Sequence, residues 1–282
     1  MSGLRLGRVD CINCLPVYYA LEEGLLPLPA ELVKGQANRL NKLFFSGKLD
    51  LTLMSSIEYA RNADRCLILP DLSISSDGRA TNVLLFSRVP VTELERKKVS
   101  LNSSSAAYMT LLKVLFDHYY QVDVQYTTTP AGIDKMMAKA DGALLVGCDA
   151  MLARQRIKDD GLPYLVTDLG EAWQQFTGEK MVYAVWVTGK ENAGGKAQAV
   201  NLVCEALVQS REIGLSQMPD LITSAHRESG LPRHLIEDYF NTMRCRFDAE
   251  YRRSLLTFYD YAYKSGLIDE RVKIRVWGEE CD

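Results

Sequence analysis

The stretch LRLGRVDCINCLPVYYALEE, residues 4–23, places a strand, a short polar turn and a helix in direct succession. Leu4–Val9 has the short, largely apolar pattern of a strand. Pro16–Glu23 is predicted to be a helix entered at Pro16, since the missing N–H of proline has no partner to lose in the first helical turn. The polar residues Asp10 to Asn13 therefore follow the carboxyl end of a strand and precede a helix.

The same succession of strand, small polar cluster and helix occurs at three further points. Ser55 and Ser56 precede a helix at Ile57, residues 102–105 (NSSS) precede one at Ala106, and Gly147 to Asp149 precede one at Ala150. Ligands of open α/β sheets bind outside the carboxyl ends of the strands. Helix N-termini there offer unpaired N–H groups and a partial positive charge, which suit carboxylates. The pattern predicts a small anionic ligand between two lobes.

Helix capping is the competing explanation for each polar cluster, because Ser, Asn and Asp are the preferred N-cap residues. Ser55 and Glu58 have the S-x-x-E spacing of a capping box, so both side chains could accept hydrogen bonds from backbone N–H groups and have no ligand contact. Asp149 has the same ambiguity. The three hydroxyls of residues 103–105 exceed what one cap needs, and Asn13 lies some residues before its helix. These two clusters are therefore the stronger candidates for ligand contact.

The chain changes character near Lys196. Up to about residue 190, short apolar runs alternate with helical patterns, as in an α/β protein, and helical patterns dominate after that point. After Leu4–Val9, the further predicted strands are Leu49–Met54, Leu67–Leu69, Val83–Ser87, Val99–Leu101, Ala143–Val146 and Tyr183–Val187. The length of 282 residues is that of about two domains. Arg88–Lys97 and Tyr183–Thr188 resemble crossings between lobes. We therefore predict one lobe from residues 1–96 plus 183–282, and an inserted second lobe from residues 97–182.

Composition excludes several classes of protein. The net charge of −3 argues against nucleic-acid binding, because neutralising phosphates needs a basic surface. No apolar window approaches the roughly 18 residues of a membrane span. The segment from Met1 to Arg8 lacks an apolar signal region, so a cytoplasmic location is expected. The seven cysteines are odd in number and sparse, which favours free thiols.

Cofactor motifs are missing from the sequence. Cys11 and Cys14 form the one C-x-x-C, without the second ligand pair that a zinc site needs, and the three histidines are scattered. A thioredoxin-type motif would open a helix within a small βαβ domain, so a redox role is disfavoured. Nucleotide-binding glycine motifs are also missing. We therefore expect thiols, no metal and no cofactor.

Two further groups allow two interpretations each. Trp173, Phe176 and Tyr183 could wall an apolar pocket around a ring, although aromatic residues at such spacing more often form core. Arg79 lies in a polar loop that is solvated by default. Its guanidinium could instead meet a ligand carboxylate.

Several short motifs are spread along the chain: GRVDCINCLPVY at 7–18, GKLD at 47–50, SSIEYA at 55–60, LPDLSISS at 69–76, VLLFSR at 83–88, ALLVGCDA at 143–150, and DLGEAW at 168–173 with TG at 177–178. Together they resemble the chorismate dehydratase family, which acts first in the futalosine route to menaquinone. Each motif alone is weak, and the set covers most of the chain and is specific. Cys14 stands where the family commonly has serine. Cys148 stands where related sequences tend to be acidic, which puts a role for that side chain in doubt.

The resemblance implies a two-lobed, periplasmic-binding-protein-like (type II) α/β fold with a ligand cleft between the lobes and a helical C-terminal region. It also implies a lyase that removes water from chorismate to give 3-[(1-carboxyvinyl)oxy]benzoate. We expect Asn13 to be catalytic. The expected substrate-binding residues are Ser55, Ser56, Ser103, Ser104, Ser105, Gly147, Asp149 and Trp173. Chorismate is the expected partner, and a homodimer stays open.

Two other functions stay open beside this one. A 1,4-dihydroxy-6-naphthoate synthase-like enzyme of the same pathway would share the fold, but its N-terminal motif differs from residues 10–16. A non-catalytic small-anion binding protein would also share it. For the dehydratase, no histidine or lone carboxylate in the motifs stands out as a base. We therefore expect the enolpyruvyl carboxylate of the substrate itself to take the proton.

Overall fold

The computed structural model describes residues 3–102 and 106–279. Its strands are β1 (Leu4–Val9), β2 (Ala30–Gly35), β3 (Leu51–Ser55), β4 (Cys66–Ser76), β5 (Val83–Ser87), β6 (Lys98–Leu101), β7 (Gln125–Thr128), β8 (Gly142–Val146), β9 (Leu165–Asp168), β10 (Met181–Gly189) and β11 (Met243–Arg244). Its helices are α1 (Leu15–Glu22), α2 (Ala37–Phe45), α3 (Ser56–Ala60), α4 (Ala106–Val114), α5 (Ile133–Met137), α6 (Cys148–Asp160), α7 (Leu169–Thr177), α8 (Ala197–Ser216), α9 (Met218–Ser229), α10 (Arg233–Thr242) and α11 (Ala249–Lys264). None of these described helices is long and apolar enough to cross a membrane.

The described strands form two mixed sheets, of order β11-β4-β10-β3-β1-β2 and β7-β6-β8-β5-β9. In the first sheet β1 is parallel to β2 and β3, and β10 is antiparallel to β3 and β4. In the second, β6 is parallel to β7 and β8, and β5 is antiparallel to β8 and β9. Parallel pairing puts the carboxyl ends of β1 and β3 on one edge, and those of β6 and β8 on another, so the polar turns come in pairs.

In the described chain, two connections join the sheets. The first runs from Ser76 at the end of β4 to Val83 at the start of β5, and the second returns from β9 through α7 to β10. The first connection therefore precedes Arg88–Lys97, the crossing that the sequence indicated. Pro90 in that segment instead precedes a short 3-10 turn between β5 and β6. The lobe boundaries at residues 96/97 and 182/183 stay a prediction.

Helices on both faces bury the central strands. All of β5 is buried, with Val83 and Leu85 packed toward α4 and α7 and with Leu84 and Phe86 packed toward α5 and α6. Burial on both faces explains why the sequence of β5 is continuously apolar. On the first sheet, α1 packs against α8.

Candidate functional site

A small cavity of about 10 Å³ lies between the two sheets. Its walls come from the turn after β1, the end of β4, the first connection between the sheets, α4, β10 and the segment from α10 to β11. The lining residues are Asn13, Ile74, Ser75, Ser76, Ala80, Asn82, Tyr108, Tyr183, Tyr239 and Met243. The DCINCLP turn therefore meets residues of both sheets at one small polar cavity.

Asn13 reaches this cavity because of a tight local turn. Residues 12–14 form a 3-10 turn in which the N–H of Cys14 donates to the carbonyl of Cys11 at 3.2 Å. The N–H of Asp10 donates to the carbonyl of Gly35 at 3.0 Å and ties the turn to β2. Burial raises the pKa of Tyr108, and the side chain of Asn13 lies close enough to the Tyr108 hydroxyl to oppose part of that rise. The turn of the first sheet thus contacts the first helix of the second sheet.

Three tyrosines supply hydroxyl groups to the cavity. The hydroxyl of Tyr183 donates to Oγ of Ser76 at 3.0 Å, and that Oγ donates to the carbonyl of Gly78 at 3.0 Å. The Tyr108 and Tyr183 rings lie 5.3 Å apart between centroids. Burial raises the pKa of Tyr108, Tyr183 and Tyr239 well above the usual phenol value. All three are therefore neutral at physiological pH and can donate hydrogen bonds.

The cavity lining described above carries no aspartate, glutamate, lysine, arginine or histidine. Arg8, at the end of β1, is only 2% exposed, and its Nη2 donates to Glu22 and Glu228 at 3.1 Å each. Its guanidinium is thus committed to protein carboxylates. An anion in the cavity would be held by hydroxyl, amide and backbone groups, as the sequence predicts for a site without a basic surface.

Ser55 and Ser56, at the second polar turn, are not among the described residues that line the cavity. Oγ of Ser55 accepts the N–H of Glu58 at 3.3 Å, which confirms the predicted N-cap of α3. Ser56 is fully buried and its carbonyl accepts the hydroxyl of Tyr259 at 2.7 Å. Oγ of Ser56 has no hydrogen-bond partner within the described part of the chain.

The turn after β8 approaches the cavity through its backbone. Gly147 has φ 65°, a left-handed conformation that favours glycine, and its N–H donates to the carbonyl of Asn82 at 2.8 Å. Asp149 is exposed and faces a groove beside α5 instead of the cavity. Burial raises the pKa of the partly buried Cys148 thiol, and the nearby Asp149 and then Cys11 add smaller increases.

Trp173 lies in the hydrophobic core and not in the cavity wall. It is fully buried, its Nε1 donates to the carbonyl of Lys180 at 3.0 Å, and its ring packs edge-on against Phe258 and Tyr261 at 5.8 Å each. Of the aromatic residues considered with it, Tyr183 does line the cavity. Ser103, Ser104 and Ser105 lie outside the described residues.

Arg79 does not meet the cavity either. Its Nη2 donates to the carboxylate of Asp238 on α10 at 2.6 and 2.7 Å, and both side chains are exposed. The sequence analysis allowed Arg79 to bind a ligand carboxylate. In the structure, the carboxylate that Arg79 binds is that of Asp238. The ion pair joins the first connection between the sheets to the helical C-terminal region.

Sequence reasoning missed Tyr108, Tyr239 and Asn82 as site residues. Tyr108 belongs to an apolar helix and Tyr239 to a helix far along the chain, so neither lies in a local polar cluster. Of these three residues, Asn82 is the one whose sequence context could have indicated a site residue. It is a polar residue directly before an entirely apolar strand, buried at 3% exposure.

Known proteins resemble this chain in both sequence and structure. A family model described as menaquinone biosynthesis matches residues 4–264. A chorismate dehydratase from Thermus thermophilus is 30% identical over 268 residues, which cover 90% of this chain and 93% of that protein. A 1,4-dihydroxy-6-naphthoate synthase from the same organism is 30% identical over 181 residues, 63% of each chain.

The solved structure of the periplasmic aliphatic sulphonate binding protein of Escherichia coli superposes on this chain with a TM-score of 0.71 at 16% identity. The match covers 100% of this chain and 96% of the other. This likeness confirms the predicted periplasmic-binding-protein-like fold. The family model and the full-length relative confirm the resemblance stated from the motifs. The chain belongs to the menaquinone biosynthesis family, the family that includes chorismate dehydratase.

Proposed function

We propose that this chain is a chorismate dehydratase, a hydro-lyase that converts chorismate to 3-[(1-carboxyvinyl)oxy]benzoate and water in menaquinone biosynthesis. Family membership and the Thermus thermophilus relative matched over 90% of this chain support the proposal. The observation that carries it is the cavity between the sheets, where Asn13 of the DCINCLP turn lies among neutral tyrosine hydroxyls.

The substrate explains what such a site must do. The ring carboxylate of chorismate is conjugated with a ring double bond, and C3, attached to the far end of that bond, bears both a hydrogen and the enolpyruvyl ether. Removing the C3 proton delocalises negative charge into the ring carboxylate, and loss of the C4 hydroxyl then makes the ring aromatic. The enzyme must hold two carboxylates and stabilise the developing charge with fixed hydrogen-bond donors. Tyr108 and Tyr239 are donors of this kind, while the single O–H of Tyr183 already donates to Ser76.

The lining of the cavity also bears on the proton acceptor. General base catalysis needs a group of suitable pKa within hydrogen-bond reach of the proton. The described lining residues offer no carboxylate, histidine or lysine for this task. We therefore assign the step to the enolpyruvyl carboxylate of the substrate, held in a reactive conformation by the enzyme. Asn13, supported by Tyr108, would orient the leaving hydroxyl or the ether side chain.

The remaining site residues take different parts in the proposal. Ser56 keeps a substrate-binding role on the sequence pattern alone, since it is fully buried outside the cavity lining, although its Oγ lacks a protein partner in the described chain. Gly147 would act through its backbone beside Asn82. Ser103, Ser104 and Ser105 keep the role of holding one carboxylate, on the sequence pattern alone. Ser55 acts first as a cap, while Asp149 and Trp173 have no substrate contact in this arrangement.

The size of the cavity requires movement during the reaction cycle. Ligand pockets usually have volumes of roughly 300–1,000 Å³, whereas the cavity measures about 10 Å³. Tyrosines and asparagines from both sheets close its walls. The two sheets must therefore separate to admit chorismate, and the arrangement described here is a closed one.

Incubation with chorismate, followed by the ultraviolet absorbance of the aromatic product, tests the activity. Asn13→Ala should lower kcat at least about 100-fold while changing substrate binding little, because interactions made in the transition state affect kcat. Asn38→Ala, at an exposed position on α2, is the matched control and should behave as wild type. A kcat for Asn13→Ala near the wild-type value would remove Asn13 from the mechanism.

The same experiment separates the two other functions. Chorismate binding by calorimetry without product would favour a small-anion binder. Neither binding nor product would favour formation of 1,4-dihydroxy-6-naphthoate, for which the second Thermus thermophilus relative is the support. A cytoplasmic location and a homodimer remain predictions that accompany the proposed activity.

A further inference from the structure

Cys11 and Cys14 lie on either side of Asn13 with their sulfur atoms 3.4 Å apart. The 3-10 turn of residues 12–14 explains this closeness, since side chains three residues apart eclipse one another in 3-10 geometry. Both residues are free thiols. The sequence disfavoured a redox role, but it could not show the distance between the two sulfur atoms.

The two thiols have unequal surroundings. Cys11 is partly buried, whereas Cys14 is fully buried beneath it. The hydrogen bond from the Cys14 thiol lowers the pKa of Cys11, an effect that burial opposes and the nearby Arg8 guanidinium assists. The same hydrogen bond, together with burial, raises the pKa of Cys14 well above its usual range. Cys11 is therefore the more accessible sulfur and the better nucleophile, since the thiolate is the reactive form.

We propose that Cys11 and Cys14 are an oxidisable dithiol that forms a reversible intramolecular disulfide when the protein meets a hydroperoxide. The Cys11 thiolate attacks the O–O bond of the peroxide, giving a sulfenic acid and releasing hydroxide, or alkoxide from an organic peroxide. The Cys14 thiol then attacks the sulfenic sulfur, and the S–S bond forms as water leaves. The peroxide is reduced by two electrons, and both come from the two thiols.

The disulfide would act on Asn13. A disulfide bond is about 2.05 Å long, so the sulfur atoms must approach by about 1.4 Å from their present separation. The turn that carries Asn13 lies between them and must tighten, which displaces the Asn13 side chain from Tyr108. This consequence for activity rests on the proposed dehydratase function; the formation of the disulfide does not.

Peptide mapping of the full chain tests the modification directly. Trypsin releases Val9–Lys34, which contains Cys11 and Cys14 and no other cysteine. After hydrogen peroxide and then iodoacetamide, the wild-type peptide should have lost two hydrogens and should carry no alkyl group. Cys14→Ser should instead trap a sulfenic acid at Cys11 that reacts with dimedone, and Cys11→Ser should give neither product. Cys204→Ser, far along the chain on α8, is the control and should give the wild-type disulfide.

The outcomes separate this proposal from the proposed function. Alkylation of both thiols after peroxide, or a disulfide between Cys11 and Cys148, would overturn the dithiol assignment whatever the activity. If the disulfide forms, chorismate turnover should fall at least about tenfold and return with dithiothreitol. Unchanged turnover in fully oxidised protein would refute the effect on Asn13. Lack of turnover in the reduced protein would refute the dehydratase function and leave the mass measurement valid.

Discussion

The carboxylate of Asp168 accepts a hydrogen bond from the backbone N–H of Thr81 at 2.8 Å. It also accepts the N–H of Ala80 and, as the N-cap of α7, the N–H groups of Gly170 and Glu171. Residues 80 and 81 belong to one connection between the sheets, and α7 belongs to the other. Thr81 has φ 64°, a conformation uncommon for a residue with a branched side chain. One buried carboxylate therefore holds both connections and a strained backbone beside the cavity.

Asp168→Asn should destabilise the protein through this clamp. The amide keeps one acceptor oxygen but turns an NH₂ group toward backbone N–H donors. We expect the free energy of unfolding to fall by about 1–3 kcal/mol, the usual loss when buried polar groups lose their partners. Urea denaturation measures the change. Asp269→Asn, at an exposed position, is the control, and an equal loss in both variants would contradict the clamp.

Gly170→Ala should disrupt the close approach between α7 and the first connection. A Cβ atom at Gly170 would lie 2.4 Å from the carbonyl oxygen of Gly78 and 2.9 Å from the Tyr183 hydroxyl. Neither backbone can move freely, so we expect a loss of about 1–3 kcal/mol in stability and a higher KM. Gly195→Ala, where nothing lies within 4 Å of an added Cβ, is the matched control. Wild-type stability and KM in Gly170→Ala would contradict this prediction, because they would show that the connection can move away from the added Cβ atom without cost.

The stability of the first sheet should depend on pH through Asp50. Burial raises the pKa of Asp50, but hydrogen bonds from Lys196 and Arg5 outweigh it and hold the pKa below 3.8. A carboxyl with a lowered folded-state pKa stabilises the protein above its unfolded-state pKa, and this contribution disappears as pH falls through the folded-state value. Asp50→Asn should therefore cost about 1–3 kcal/mol at neutral pH.

Urea unfolding of wild type and Asp50→Asn at several pH values measures this dependence. The difference between the two proteins should shrink once the pH falls below about 4, where Asp50 becomes protonated on unfolding. Asp269→Asn serves again as the exposed control. If the difference in unfolding free energy between wild type and Asp50→Asn stays constant to the lowest pH measured, charge on Asp50 is not the source of the stabilisation.

Trp173→Phe should reduce stability and leave substrate affinity unchanged, because Trp173 packs in the core. The change removes the hydrogen bond to the carbonyl of Lys180 and part of a buried ring, at a cost of about 1–3 kcal/mol. Tyr183→Phe is the contrasting variant, since it removes a cavity hydroxyl and should raise KM more than it lowers stability. A tenfold rise in KM for Trp173→Phe at wild-type stability would instead return Trp173 to the substrate site.

Strands buried on both faces were predictable from the sequence, and exposed edge strands were not. The continuous apolar run of β5 was predicted at the residues where it lies, Val83–Ser87. The strands β2, β7 and β9 were missed, because most side chains in each are partly or fully exposed and the apolar pattern is weak. A strand buried on both faces needs apolar residues throughout and is recognisable in the sequence, whereas a partly exposed strand tolerates polar residues and is not.

Local sequence encodes the polar turns of the site, because a turn, a cap and a left-handed glycine depend on neighbours a few residues away. It identified Asn13, the Ser55 cap and the turn at Gly147. Which of these turns faces the substrate cavity depends on how two sheets lie relative to each other. That arrangement sends Asp149 to solvent and brings Tyr108 and Tyr239 to Asn13 from distant elements. Contacts between residues so far apart in the chain produce no local sequence pattern. They are decided by how the helices and sheets pack in the tertiary structure.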